Sequence, residues 1–489
     1  MPALSVDITL PSLTLSDDES KLVGQLRGRI QKYAKKNALK HEYYEGKQKV
    51  RQLNIAVPPS LQEIAVSVGW PGTVVDVLEE RLDWLGWTSP NDDVLGLDEI
   101  YRDNLLGMES SRVHLEALIT GTGFVTVGKG DPSNGEPEIL VTVESASTCT
   151  AVWDYRTRRV SAALSQTVDE TGTVLMESLY LPNETIIFER QHNKLVVVDR
   201  QHHKLNRVLV SRLRNRDRAI DMEGRSELTR PVLYYTDAAC RTMLGMEINR
   251  EFYQAPQRYA LGAEPEQFGV SEDSSDDERV LAGWRAAMGR LNIIPATDDG
   301  EIPEMGQFPA SPPTPGIDMV RFYSQMISSE SGIPPTYLGF VTDNPASADS
   351  IRQLEYRLVK RAERRQIAFG QSWREVGYLA LLVRDGEVDP DAFRAIEPRW
   401  KDASTPTRAA AADEALKLTS AGILTPDSGV TYDRIGLSIQ DQERIKNDKR
   451  QARVAELLQR LPNAANQARQ SPNVANLSAQ RVDDATDSN

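Results

Sequence analysis

The chain has 489 residues, 40% of them hydrophobic and 26% charged, with a formal net charge of −14. That length suits two to four domains of about 100–200 residues each, and no run approaches the roughly 18–20 apolar residues of a membrane helix. The acidic balance suits solubility and argues against a tight grip on nucleic acid, because phosphate neutralisation supplies most of such affinity.

The opening MPALSVDITLPSLTLSDDES lacks a basic stretch followed by an apolar core, so no secretory signal is expected. Ser16 and Glu19 have capping-box spacing and predict a helix towards Tyr44 that stops near Gly46. Within it stands the string His41, Glu42, Tyr43, Tyr44, Glu45, Gly46. After the Pro58-Pro59 break, helices with Trp70, Leu78, Leu82 and Trp84 on apolar faces are expected, and Trp70, Trp84 and Trp87 read as core. One helix is predicted over 97–119, with Leu105, Met108, Arg112 and Leu115 at helical steps.

From Gly121 to about Val210 the period changes to two. The stretches 124–127, 139–143, 186–188 and 195–198 read as strands separated by turn clusters, hence an antiparallel β region. Gly123–Lys129 matches GxxxxGK, the pattern of a phosphate loop. Gly130 stands where a Ser or Thr would bind Mg²⁺, and Phe124–Val127 are strand formers, so a hairpin strand is expected; a nucleotide site is the alternative. His192, His202 and His203 lack metal-site spacing and read as solvated. Cys149 and Cys240 stand alone, so a reducing compartment is the default. Arg207, Arg212, Arg214, Arg216, Arg218 and Arg225 form the densest basic run; acidic neighbours are the expected partners, phosphate the alternative.

The string Gly224-Arg-Ser-Glu-Leu-Thr-Arg-Pro231 precedes a helix with Leu228, Val232, Tyr235, Ala239, Met246 and Phe252 on one face. Residues 252–316 then lose periodicity and gain Pro, Gly and acid. Glu272, Asp273, Asp276, Asp277 and Glu278 lack calcium-loop alternation and read as a solvated surface, with a divalent-cation site the alternative. A short helix from about Ile317 to Gly332 follows, stopped by Pro334 and Pro335. Beyond a polar loop, an apolar face recurs at Ile351, Leu354, Leu358, Ala362, Phe369, Trp373, Val376, Ala380 and Val383, broken at Arg365. Such a helix would be roughly 50 Å long. Its basic residues Arg352, Arg357, Lys360, Arg361, Arg364 and Arg365 are expected to meet acidic faces of adjacent subunits, with DNA the alternative. Helices starting at Thr405-Pro406, Thr425-Pro426 and Ser438 and stopping at Gly422, Gly436 and Pro462 complete the ordered part, and a polar tail follows.

The loop-and-helix segment 331–383, the 41–46 string, the 224–231 string with Asp237-Ala238-Ala239, and 251–258 together resemble the portal proteins of long-tailed bacteriophages, in family order over roughly residues 20–460. The resemblance implies an α+β multi-domain, mainly helical portal fold. Its parts would be an N-terminal wing (1–228) holding the antiparallel β region, a first stem helix (229–251), a clip (252–316) and a second stem helix (317–333). A channel loop (334–349), a long wing helix with its return (350–403), a helical crown (404–463) and a disordered tail (464–489) would follow. It implies a structural ring, typically of twelve subunits, at one capsid vertex, assembled in the host cytoplasm. Double-stranded DNA would pass through its channel during packaging and ejection, and an acidic wall would let that duplex slide. The implied partners are the terminase large subunit, a head-tail adaptor, and major capsid and scaffolding proteins, with no membrane. Thr342, Asp343, Asn344 and Ser347 would line the channel. No catalytic, cofactor-binding or metal-binding residue is expected. An ATP-driven packaging enzyme and a non-ring DNA-binding capsid protein are the alternatives.

Overall fold

A computed structural model describes residues 14–50, 66–91, 93–220, 223–254, 258–262, 270–271, 273–288, 300, 302, 304–307, 312–339, 348–404 and 408–470. Two compact units, Met1–Ala403 and Ser404–Asn489, are described each by itself.

Helix α1 (Asp17–Tyr44) opens with the expected capping box: the Glu19 amide donates to Ser16 Oγ at 3.3 Å, and the Ser16 amide to Glu19 Oε2 at 2.8 Å. Its buried Val23, Leu26 and Ile30 pack on Leu164, Leu179, Ile186 and Phe188 of a five-stranded sheet. The Pro58-Pro59 break lies outside the described residues. Next come α2 (Trp70–Glu79) and the strand β1 (Trp84–Thr88), so Trp84 and Trp87 sit on a strand rather than a helix.

The helix expected over 97–119 is two, α3 (Leu97–Asp103) and α4 (Leu106–Thr120). Asn104 causes the break. Its Nδ2 donates to the Ile139 carbonyl at 2.8 Å and its Oδ1 accepts from the Val141 amide at 2.8 Å, so the side chain competes with the helix for backbone partners. Leu105 then turns left-handed, with φ 51°.

Strand β2 (Thr122–Lys129) is the centre of a three-stranded antiparallel sheet between β3 (Ile139–Ser145) and β9 (Val210–Arg214). The five-stranded sheet is a meander of β4 (Cys149–Asp154), β5 (Arg159–Val168), β6 (Val174–Tyr180), β7 (Glu184–Gln191) and β8 (Lys194–His202). β4, β5 and β6 carry too much Ala, Ser, Thr and Glu to show in hydropathy. Glu177, buried on β6, accepts from Arg27 of α1.

Helices α5 (Arg230–Gln254) and α7 (Thr314–Ser331) pack side by side. The excursion between them is more regular than its sequence suggests. β10 (Arg258–Leu261) pairs antiparallel with β11 (Glu304–Gln307), and α6 (Asp276–Met288) lies between. Asp276, Asp277 and Glu278 of the acidic run form the first turn of α6, where carboxylates suit the helix dipole, and Ser275 with Glu278 forms a second capping box.

Helix α8 (Ala348–Asp385) has 38 residues, about 57 Å at 1.5 Å per residue. Leu358, Ala362, Phe369, Trp373, Val376, Leu379 and Ala380 are fully buried on it, whereas Leu354 is 49% exposed. The Trp373 ring stacks on Trp84 at 4.0 Å, and its Nε1 donates to His114 Nε2 at 2.9 Å. Removing such a ring leaves a cavity costing about 3–5 kcal/mol, so this contact fixes where α8 lies. α9 (Pro390–Arg394) leads to β12 (Glu397–Trp400), which pairs with β1.

In the second unit, α10 (Arg408–Ser420), α11 (Gly429–Ile435) and α12 (Ile439–Gln470) follow in turn. Thr405-Pro406 lies outside the described residues. α11 starts at a Ser428 cap rather than at Thr425-Pro426, which forms the preceding turn. α12 runs through Pro462, where a stop was expected. Proline removes one helical bond there, but the Ala and Gln residues that follow favour the helix. No helix of the described residues is long and apolar enough to cross a membrane.

Candidate functional site

The chain leading into the loop singled out by the sequence is held firmly. α7 ends at Gly332, whose amide donates to the Ser328 carbonyl at 2.8 Å, and Ser328 Oγ donates to the Ile333 carbonyl at 2.6 Å. A short turn over Pro335–Leu338 follows. Trp70 Nε1 donates to the Leu338 carbonyl at 3.3 Å, and the Tyr337 hydroxyl donates to Glu355 Oε1 at 2.7 Å. Arg81 Nη2 stands 3.2 Å from that same oxygen. Thr342, Asp343, Asn344 and Ser347 lie outside the described residues. The chain is described again from Ala348, where α8 begins.

About three and a half to five turns along α8, at Arg361 and Arg365, a buried ionic hub ties it to the rest. Glu227 is 1% exposed and faces three guanidiniums. Arg365 Nη2 donates to Oε1 at 2.5 Å, Arg361 Nη2 donates to Oε2, and Arg216 Nη1 lies 3.4 Å from Oε2. Asn215 Nδ2 donates to Oε1 at 3.0 Å. Burial pushes the Glu227 carboxyl up, but Arg365, Arg361 and Arg216 outweigh it and hold it below the usual carboxylate range. Arg361 Nη1 also donates to the Glu330 carbonyl at 3.3 Å, and Arg357 Nη1 to the Ser329 carbonyl at 2.8 Å. The end of α7, the approach to α5 and the long helix are thereby joined at one point.

Gly224, Ser226 and Thr229 of the 224–229 string support this junction. Gly224 has φ 81°, and a Cβ on it would meet the Gly121 carbonyl oxygen at 2.0 Å, so no other residue fits. Ser226 Oγ donates to the Ile119 carbonyl at 2.5 Å and accepts from the Leu228 amide at 2.9 Å. Thr229 Oγ1 donates to Glu330 at 3.1 Å. The 41–46 string is likewise structural. The Tyr43 hydroxyl donates to Asp237 of α5 at 2.8 Å, and that of Tyr44 to Asp76 of α2 at 2.8 Å. His41 stands 3.4 Å from Glu116, whose hydrogen bond raises its pKa.

The sequence did not mark Glu227, yet it held the signal. Arg365 interrupts an otherwise apolar helix face, and a buried cation needs a buried anion. Arg361 and Arg365 were expected to meet neighbouring subunits; they meet Glu227 of their own chain instead, because the 215–227 segment brings that carboxylate against α8. Lys360 pairs with Glu363 at 2.6 Å, and the Arg352 side chain lies outside the described residues. In the denser arginine run, Arg212 pairs with Glu223 at 2.7 Å, Arg214 with Asp217 at 3.2 Å, and Arg207 with Glu375.

The GxxxxGK match is extended strand along its length, with Lys129 opposite Ile139, so its amides face neighbouring strands rather than a phosphate. His192 lies in the left-handed β7–β8 turn, His202 is 3.3 Å from Glu184, and His203 Nδ1 accepts from the Leu205 amide. Among the described residues no three or more His, Cys, Asp or Glu side chains are grouped to hold a metal ion; Glu272 lies outside them. A carboxylate enclosed by three guanidiniums is a weak proton acceptor. The hub's capacity is mechanical: it locks the end of α7 and the middle of a long helix to a shared frame.

The sequence comparisons with known proteins point one way. A family model described as phage portal protein, SPP1 Gp6-like, matches residues 28–454. The portal protein of Mycobacterium phage L5 is 30% identical over 452 residues, covering 89% of this chain and 90% of that protein. The portal protein of Mycobacterium phage D29 is 32% identical over 419 residues, with 83% of each covered. Among solved structures, a chain in the neck of the native gene transfer agent particle, computed with C12 symmetry, is 14% identical at a TM-score of 0.39. That match covers 76% of this chain and 89% of the other.

Proposed function

The chain belongs to the SPP1 Gp6-like phage portal protein family, and from that premise we propose that it assembles into a closed ring, typically of twelve subunits, at one capsid vertex. It is a structural component of the virion and not an enzyme. In this reading the ring is the channel through which DNA is packaged and ejected, and it docks the terminase motor and a tail adaptor. Residues up to 228 form the wing, α5 and α7 the stem, and the 252–316 excursion the clip. α8 is the wing helix, and the three helices after Ser404 form the crown. Capsid and scaffolding proteins would meet the ring from outside.

One observation carries this reading. A polar segment leaves a pinned turn at Pro335–Leu338 and enters a 38-residue helix clamped by Glu227. Rigid anchors on both sides suit a loop that meets a moving duplex and must transmit force without pulling free. Between Val341 and Ala348 the segment has no Lys or Arg, so contact with phosphates is weak and easily broken. Replacing Asp343 and Asn344 with Arg adds phosphate attraction in every subunit, released by salt. Rings should form normally while packaging slows at low salt. Packaging at wild-type rate would remove the channel-loop assignment, and loss of rings would make the loop an interface element.

A further inference from the structure

Beside the Glu227 hub lies a second feature, which the hub does not use up. Arg216, Arg218, Arg225, Arg364 and Arg365 line a hollow of about 380 Å³, with Asp217 its one acidic wall residue. A contiguous hollow of about 520 Å³ adds Tyr356, Arg357, Lys360 and Arg361 and shares Arg216, Arg364 and Arg365. Glu227 is one carboxylate facing three guanidiniums, so the floor is left positive. On the rim, Arg225 and Arg364 are exposed, and their side chains have no ion pair or hydrogen bond to a described residue. Arg357 has a backbone carbonyl for a partner and no carboxylate among the described residues. This concentration of positive charge is the reverse of the chain's net charge of −14.

We propose that this basic hollow on α8 is where an acidic surface of a second copy of the chain seats, making it a subunit interface of the ring. The inference rests on the ring reading above and names the face that closes it. Two observations favour a second copy over the DNA backbone as occupant. First, the exposed stripe of α8 is half apolar. Tyr356 and Ile367 are 69% and 70% exposed, and with Lys360 and Arg364 they follow steps of four, four and three along one helix face. Phosphates would satisfy the cations and leave Ile367 in water, whereas a protein surface covers both. Tyr and Arg together are also what the core of protein interfaces favours. Second, the chain has 71 acidic residues against 57 Lys and Arg. With this many cations gathered in one hollow, the rest of the chain is more acidic still, and each copy brings the complement the hollow lacks.

The test is the double variant Arg225→Glu, Arg364→Glu in the full chain. Both positions are exposed and outside the Glu227 hub, so circular dichroism and the unfolding midpoint should match wild type. Wild type should assemble at moderate salt and come apart as salt screens the contact. The variant should need at least about tenfold more protein for half-assembly, a factor worth about 1.4 kcal/mol. Carbodiimide cross-linking of mixed light and ¹⁵N-labelled wild-type chains should join Lys360 to a carboxylate of the other copy. If the variant forms rings at wild-type concentration and salt, and Lys360 links within its own chain alone, the interface assignment falls while the ring reading stands. If wild type stays monomeric throughout, both fall. If the variant assembles normally but loses a salt-sensitive hold on a duplex DNA fragment that wild type retains, the hollow is a DNA contact and the proposal is overturned.

Discussion

Glu227 balances a large desolvation cost against three guanidiniums, and such buried sets are fragile when one member is removed. Glu227→Gln keeps the shape but strands Arg361 and Arg365 in the interior without a counter-charge. We expect a loss of about 3–5 kcal/mol in the unfolding free energy of the first unit, read by denaturant titration. A change within the noise would mean that water or other carboxylates already compensate the arginines. Glu19 offers a pH-dependent counterpart. The hydrogen bond from Arg200 lowers its pKa from 4.5 to about 2. Because the folded value lies below the unfolded one, the pair stabilises fully above the unfolded pKa, and its contribution fades as pH falls towards 2. Solvent around this pair limits it to about 1 kcal/mol. Glu19→Gln should therefore cost about 1 kcal/mol at neutral pH and flatten part of the stability loss on acidification from about pH 5 to pH 2.

At the scale of elements, long periodic helices were legible and short junctions were not. α1, with its capping box, and α8, with its repeating apolar face, can be read from spacing alone, since burial and local propensity agree in them. Trp84 and Trp87 misled because their spacing of three fits a helix, while pairing with Glu397–Trp400 places them on a strand. The split between α3 and α4 depends on Asn104 reaching a strand that begins 35 residues later, which local pattern cannot reveal. Asn104→Ala should cost about 1–3 kcal/mol by leaving the Val141 amide and Ile139 carbonyl short of partners. Thermal unfolding unchanged by that substitution would mean that the break is set by Leu105 instead. The candidate site was legible in part. The 224–231 string, the pinned prolines and α8 stood out, but Glu227 is one carboxylate among many until the fold sets it against Arg361 and Arg365. The acidic excursion hid a helix for the opposite reason: its Ser and Asp residues read as solvent-facing, and they also begin a helix well.

At the scale of the whole molecule, the family match over residues 28–454 joins a chain that leaves large apolar side chains exposed on α5, α7 and α8. Phe322 is 52% exposed on α7, Tyr234 60% on α5 and Ile367 70% on α8. Closed rotational symmetry would let each copy cover such faces without leaving an open end. Electron microscopy of the purified full-length protein, supported by light scattering, tests this most directly. The account predicts uniform closed rings with an axial hole, their population falling as salt rises. A 54.5 kDa monomer at every concentration and salt, or open chains that never close, would contradict it.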